Sequence, residues 1–312
     1  MIDVLKHNFP KTSVDFLVNT RVAELILDYP NISKVHSIEK DSIKVLKPIF
    51  RENKYDLAIV VHPDFSIAVA LFQSGIKYRL GTGYRWYSFL FNIKRYRHRK
   101  YSDKHEMEYN LDLLKEIGCE IPTGIKPVLT VKDETIVLLK DKIIKSGLAL
   151  DELFIIIHPG SLKSAKEWGS KNFAGLINLL LDDNSLKTKI VLTGSINENA
   201  MLDNLLQIIT PKKKVIKITN VNLIELAALI KCSKLFIGNS TGPIHIAAAV
   251  GTFVIGLYPA KTETNAARWG PYTDKKKVFS SGLKENESEF LDDIEPVKVF
   301  NFIKSYINSN YK

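Results

Sequence analysis

The feature that most constrains this 312-residue chain is a repeated alternation of short, unbroken apolar runs with amphipathic stretches. Phe154-Ile155-Ile156-Ile157-His158 is the clearest run: nearly every position is large and apolar, with no polar alternation. A strand of that kind is covered on both faces, which is the situation of a parallel sheet flanked by helices. In the first part of the chain the spacing predicts strands over 14–18, 34–37, 56–61 and 77–80, and helices over 21–27, 42–52, 65–73 and 106–117. In the second part it predicts strands over 154–158, 189–193, 214–217, 234–237 and 252–256, helices over 172–181, 198–208, 223–231 and 244–250, and a terminal helix over 297–307. Strand–helix alternation gives right-handed crossovers and a doubly wound parallel sheet. The pattern runs twice, with the Pro- and Gly-bearing stretch Ile121-Pro122-Thr123-Gly124-Ile125-Lys126-Pro127 between the two runs. The expected organisation is therefore two Rossmann-like α/β domains, 1–127 and 128–312, facing a cleft at the carboxyl ends of their strands.

Several classes are excluded. No run of about 18 apolar residues is present, so no transmembrane helix is expected. Met1-Ile2-Asp3-Val4-Leu5-Lys6 lacks the apolar core of a signal peptide, which points to a cytoplasmic protein. Cys119 and Cys232 are expected as reduced thiols. The net charge of +10 favours acidic partners. Part of it is local: Lys94-Arg95-Tyr96-Arg97-His98-Arg99-Lys100 packs five basic residues and a histidine into seven positions. Most such runs are solvated basic loops, and the functional reading of this one is a contact with a phosphorylated or membrane-borne acceptor. Nucleic acid is not expected, because zinc-finger spacing, RNP motifs and basic-zipper heptads are absent.

Three strand ends carry the chemistry. After the first, Pro159 halts the ladder and Gly160 admits unusual backbone angles; Ser161, Lys163 and Lys166 then line a loop that reaches Trp168. A hydroxyl and two lysines suit a diphosphate, and the same residues suit a plain strand-to-helix loop. After the second, Thr193-Gly194-Ser195-Ile196-Asn197-Glu198 turns into a helix, where Glu198 complements the helix dipole. The third, Gly238-Asn239-Ser240-Thr241-Gly242-Pro243-Ile244-His245, is the most informative. Small polar groups end a strand, Gly242 lets backbone approach a ligand, and Pro243 opens a helix whose N-terminus favours an anion. His245 falls in the first turn of that helix. No P-loop lysine follows a glycine loop, Gly81-Thr82-Gly83 lacks the third glycine of a dinucleotide fingerprint, and Asp182-Asp183 and Asp292-Asp293 lack further ligands at metal spacing. No metal and no cofactor are expected.

Taken in order, these blocks resemble glycosyltransferase family 9, the heptosyltransferase family of lipopolysaccharide assembly. The resemblance rests on His158-Pro159-Gly160 with Lys166 and Trp168, on Leu192-Thr193-Gly194 with Glu198, and on 238–243 with His245 and Ala247-Ala248-Ala249. Gly256-Leu257-Tyr258-Pro259 and Lys104-His105-Glu106 fit as well. It implies a GT-B fold and an inverting, metal-independent transfer of a heptose-like sugar. The donor would be a nucleotide-sugar, typically ADP-heptose, and the acceptor an anionic glycolipid of the lipopolysaccharide core, at the inner membrane's cytoplasmic face. It also implies that Ser161 and Lys166 hold diphosphate and sugar, that Thr241, Gly242 and His245 cradle phosphates, and that Glu198 lies near the nucleoside. His158, Gly160, Lys163, Thr193, Gly194, Ser240 and Pro243 complete the expected donor site, with Lys166 stabilising the leaving diphosphate. The basic run from Lys94 to Lys100 would supply a peripheral membrane contact.

Two departures from the family pattern stand out. Ser240 occupies a position where the family often has Asp. The family also begins with a strand and an Asp-bearing loop that holds its proposed general base, and neither has a counterpart before the helix at 1–8 and Phe9-Pro10. Asp3 is nearest in sequence but falls within that helix. Loss of a central strand is expected to leave neighbouring strand edges open. A nucleotide-sugar-binding protein impaired in transfer is therefore the alternative to an active enzyme, and an epimerase of the same architecture lacks the paired cleft carboxylates it needs.

Overall fold

The computed structural model describes the chain except residues 162–164, 211–214, 262, 284–286 and 312, and of Lys100 only the backbone. It divides into two compact units, Met1–Ile125 and Lys126–Lys312.

The C-terminal unit is built on one six-stranded, all-parallel sheet. Its strands are β6 (Phe154–His158), β7 (Lys189–Thr193), β8 (Val215–Ile218), β9 (Leu235–Asn239), β10 (Phe253–Tyr258) and β11 (Lys276–Ser280), in spatial order β11-β10-β9-β6-β7-β8. Chain order reverses direction between β6 and β9, which pair directly in register Ile155↔Leu235 through His158↔Gly238. This is the topological switch point, where the loops leaving two adjacent strands diverge and open a crevice. Helices α5 (Asp133–Ile143), α6 (Ser170–Asp182), α7 (Asn199–Ile208), α8 (Leu223–Cys232), α9 (Gly242–Ala249), α10 (Ala266–Trp269) and α11 (Pro296–Asn310) complete the unit. Helix α6 buries Phe173, Ala174, Leu176, Ile177, Leu180 and Leu181, a stripe at helical spacing. Val299, Ile303 and Ile307, four residues apart on α11, join the same core. Every residue of β6 and β9 is buried, which accounts for their unbroken apolar sequences.

The N-terminal unit has five strands in two parallel sheets. Strands β1 (Asp15–Asn19) and β2 (Lys34–Ile38) form a pair, while β3 (Leu57–Ile59), β4 (Tyr78–Thr82) and β5 (Ile93–Arg95) form a triplet. Among the described residues β1 pairs only with β2 and β3 only with β4, so each has one open edge. Tyr55, just before β3, links the two sheets by donating to Asp15 Oδ2 of β1 at 2.6 Å. Helix α1 spans Ile2–Asn8, α2 Ile43–Asn53, α3 Phe65–Gln73 and α4 Glu106–Leu114. Ser42 caps α2, which then buries Leu46 and Phe50, one turn apart. Asp64 caps α3 by accepting from the Ile67 amide at 3.1 Å.

The structure adds two strands and a long helix that periodicity misses. Strand β5 overlaps the start of the basic run, so Lys94 and Arg95 belong to a sheet edge and not to a loop; two adjacent cations hide a three-residue strand. Strand β11, Lys276-Lys277-Val278-Phe279-Ser280, is likewise an edge with exposed lysines. Helix α5 buries only Leu139 and Ile143, one turn apart, too little apolar signal to mark it. The predicted helix over 21–27 is instead a 3-10 turn, Thr20–Leu25, opened by an Asn19 side chain that accepts from the Arg21 amide.

Candidate functional site

The segments expected to bind a donor leave β6 and β9, the two strands at the switch point. Asn239 ties them together. It ends β9, is fully buried, and spends its whole amide on the other loop. Its Nδ2 donates to the Pro159 carbonyl at 2.6 Å, and its Oδ1 accepts from the Trp168 amide at 3.0 Å. Both ends of the 159–168 loop are thus fixed to the strand that leads into 240–245. The far anchor is Trp168, fully buried, whose indole Nε1 donates to Ile294 O at 2.7 Å. A buried amide with both groups satisfied adds stability, and leaving either partner orphaned costs about 1–3 kcal/mol.

His158 ends β6 beneath the loop. Its Nδ1 lies 3.0 Å from Thr193 Oγ1 at the end of β7, and its ring stacks on Phe236. Burial pushes the imidazole below its ordinary value, only partly opposed by the Glu198 carboxylate. It is therefore a neutral brace between adjacent strand ends.

Glu198 has a specific local task. With Ser195 it forms a capping box, Oε2 accepting from the Ser195 amide at 2.7 Å and from Ser195 Oγ at 2.8 Å. Its other oxygen rests against Gly160, where a Cβ would fall 1.8 Å from Oε1. Because the cap pins the carboxylate, only glycine fits at 160. Gly194 beside it is crowded by Leu202.

The start of α9 is open. Thr241, its N-cap, makes no side-chain capping bond; its hydroxyl leans back to the Asn239 carbonyl at 3.4 Å. Nothing lies within 4 Å of where a Gly242 side chain would begin. Pro243 sits in the first turn, and His245 is half-buried one turn in. Pro243 carries no N–H and the Ile244 amide donates to Thr241 O at 3.2 Å, so an anion drawn to the positive end of this helix would meet Gly242 and Thr241 first. Ser240 does not point freely outward: its side chain is hydrogen-bonded to the Tyr258 hydroxyl, which donates to Trp269 O at 2.9 Å. Burial drives the Tyr258 phenol upward, so it stays protonated and able to donate.

The structure thus brings 158–161, 165–168, 193–198 and 239–245 to one edge of one sheet. Ser161 is buried, with its hydroxyl 2.6 Å from Glu167 Oε1. Lys166 is half-buried in the same loop, and Lys163 lies outside the described residues. Sequence reading gave no positioning role to three residues here: the double-acting Asn239, Tyr258 behind Ser240, and Glu167 against Ser161. Asn239 carried a signal, being an amide at the end of a strand that is otherwise apolar. In the N-terminal unit, Lys104 pairs with buried Asp112 at 2.7 Å, and His105 caps α4 in a box with Glu108. The Lys104-His105-Glu106 motif therefore builds a helix start.

The sequence profile of glycosyltransferase family 9 (heptosyltransferase) matches residues 44–296. The chain belongs to glycosyltransferase family 9. A Haemophilus influenzae protein provisionally assigned as a glycosyltransferase is 28% identical over 286 residues, covering 88% of this chain and 81% of that protein. Lipopolysaccharide heptosyltransferase 3 of Escherichia coli K12 is 26% identical over 300 residues, covering 90% and 83%. The structure of the E. coli ADP-heptose lipopolysaccharide heptosyltransferase II superposes with a TM-score of 0.83 at 20% identity, over 100% of this chain and 94% of that one. The GT-B fold expected from the sequence is accordingly the fold of this family 9 member. Among the described residues, no helix is long and apolar enough to cross a membrane.

Proposed function

We propose that the chain transfers a heptose-like sugar, with inversion, from a nucleotide-sugar such as ADP-heptose to an anionic glycolipid of the lipopolysaccharide core or a related acceptor. The observation that carries this reading is Asn239, which locks the 159–168 loop beside the open N-terminus of α9. In the reading, the donor diphosphate lies between them. Thr241, Gly242 and His245 hold its oxygens, Lys166 neutralises the charge that grows on the leaving group, and Ser161 turns from Glu167 to donate to phosphate or sugar. Glu198 and Gly194 face the nucleoside. His158 and Thr193 act from behind as braces, and Ser240 meets a sugar hydroxyl without the charge of an Asp. Lys163 extends the cationic loop.

The alternative is a protein that holds the nucleotide-sugar without transfer. Asp3 accepts from Tyr29 Oη and from Asn31 Nδ2 at 2.6 Å, one bond to each carboxylate oxygen. A base has to come within hydrogen-bond reach of the acceptor proton.

Titration calorimetry separates the readings. ADP-heptose is expected to bind the wild type, and Lys166→Ala to weaken it by about 1.5–3 kcal/mol, the range for a hydrogen bond to a charged group. Equal affinity removes Lys166 from the site, and failure of every nucleotide-sugar to bind removes the function. Product formation with lipopolysaccharide-core acceptor then distinguishes transfer from binding alone.

A further inference from the structure

Glu167 is half-buried on the 159–168 loop, and its backbone has little freedom. Its carbonyl accepts from the Leu291 amide at 3.0 Å, and the next residue, Trp168, is held by Asn239 and by Ile294. From that fixed base the side chain reaches back to the start of the loop, where Oε1 accepts from the Ser161 hydroxyl at 2.6 Å. Among the described residues, Oε2 has no hydrogen-bond partner. The neighbouring polar groups are already committed. Asn239 holds the loop, Glu198 caps the turn that begins at Ser195, and Ser240 is bonded to Tyr258.

The sense of these hydrogen bonds decides what can come next to them. Ser161 has one proton, and it meets two acceptors, Glu167 Oε1 and the Ala165 carbonyl at 3.1 Å. Whenever that proton turns to a ligand, the Glu167 carboxylate loses its donor and has to draw one from the ligand. An ionised diphosphate has no proton to give, and its charge has the same sign. A sugar has several hydroxyls and no charge, and the two oxygens of a carboxylate can accept from two neighbouring ones. The features that suit phosphate belong to other residues, the Lys166 ammonium and the positive end of α9 at Thr241 and Gly242.

We propose that Glu167 is a specificity residue that accepts from the hydroxyls of the donor sugar, so that the sugar lies at Ser161 and Glu167 and the diphosphate at Lys166 and the start of α9. This rests on the donor-binding reading above and narrows it, since of phosphate and sugar it is the sugar that meets Ser161. It also gives the site a preference for the intact donor over the nucleoside diphosphate left after transfer. Once the sugar has gone, the carboxylate closes again on the Ser161 hydroxyl, and the remaining diphosphate is held by fewer contacts.

Calorimetric titration of the full chain with ADP-heptose and, separately, with ADP tests this through the ratio of the two affinities. Glu167→Gln keeps an acceptor for Ser161 and should leave the melting temperature unchanged. Its ADP-heptose affinity should fall about tenfold, the difference between a charged and a neutral acceptor, while its ADP affinity holds or rises. Glu167→Ala leaves the Ser161 proton the Ala165 carbonyl as an acceptor. It should lose roughly ten- to a hundredfold of ADP-heptose affinity, again with no loss for ADP. A residue that only braces the loop would move both ligands together. The proposal is overturned if ADP and ADP-heptose weaken by the same factor, if neither affinity changes, or if ADP weakens more. Each of those results leaves donor binding by the wild type in place. A wild type that binds no nucleotide-sugar removes the donor-binding reading, and this proposal with it.

Discussion

In the C-terminal unit, β6 and β9 each have a parallel neighbour on both sides, and every residue of both strands is buried. In the N-terminal unit, among the described residues, β1 and β3 each have one neighbour, and no residue of either strand is fully buried. The same strand–helix grammar thus yields a rigid sheet edge in one unit and an open, half-covered one in the other. A site whose groups must hold sub-ångström geometry belongs on the first kind of support. That is where Asn239, His158 and Glu198 cross-link neighbouring strand ends. The second kind has backbone and aromatic surface left to offer to something else.

The largest effect that can break this contrast is a cavity in each core. Trp168→Ala should destabilise the C-terminal unit by about 3–5 kcal/mol, because a fully buried ring and an indole hydrogen bond are both lost. Phe16→Ala, on half-buried β1, should cost clearly less, about 1–2 kcal/mol, in proportion to the smaller area covered. Urea unfolding followed separately in each unit checks this, and equal losses would show that the open edge of β1 is covered in solution.

Next in size is the cross-link itself. Asn239→Ala orphans the Trp168 amide and the Pro159 carbonyl and should cost about 2–3 kcal/mol, with a parallel loss of donor affinity. If stability falls and affinity does not, the loop geometry is irrelevant to the ligand. Hydrogen exchange refines the comparison without mutation. Amides on the open edges of β1 and β3 should exchange on the timescale of local opening, while those of β6 and β9 should persist until the unit unfolds globally.

The smallest expected effect is a pH dependence from His158. Burial lowers its folded-state value beneath the ordinary 6.5, so below that pH the unfolded chain binds the extra proton. Stability should be flat above it and should fall as pH drops, with a slope approaching about 1.4 kcal/mol per pH unit until the folded histidine itself protonates. His158→Phe should remove that slope, which melting curves between pH 5 and about 7.5 would show.

Much of the C-terminal unit was legible because two-sided burial writes itself into sequence: strands such as Phe154–His158 and Lys189–Thr193 are found within their stated bounds. The turns after them were legible as well, since Pro159, Gly160, Gly242 and Pro243 each mark a backbone demand. What stayed hidden depends on contacts between distant segments. Asn239 reads as one polar residue among three until Pro159 and Trp168, 80 and 71 positions away, are seen to share its amide. Ser240 reads as an open hydroxyl until Tyr258 is seen behind it. In the N-terminal unit the run from Lys94 to Lys100 reads as charge, because sequence does not show that Glu116, Asp103 and Glu106 come back to meet its arginines. Nor does it show that the aromatic rings around them are left outside.

The central claim is that the donor diphosphate sits at the β6/β9 switch point. Hydrogen–deuterium exchange with and without ADP-heptose tests it most directly. Slower exchange is predicted in peptides covering 158–168 and 240–246, and should be weakened together in both by Lys166→Ala. Protection confined to other segments, or none at saturating donor, would contradict the account.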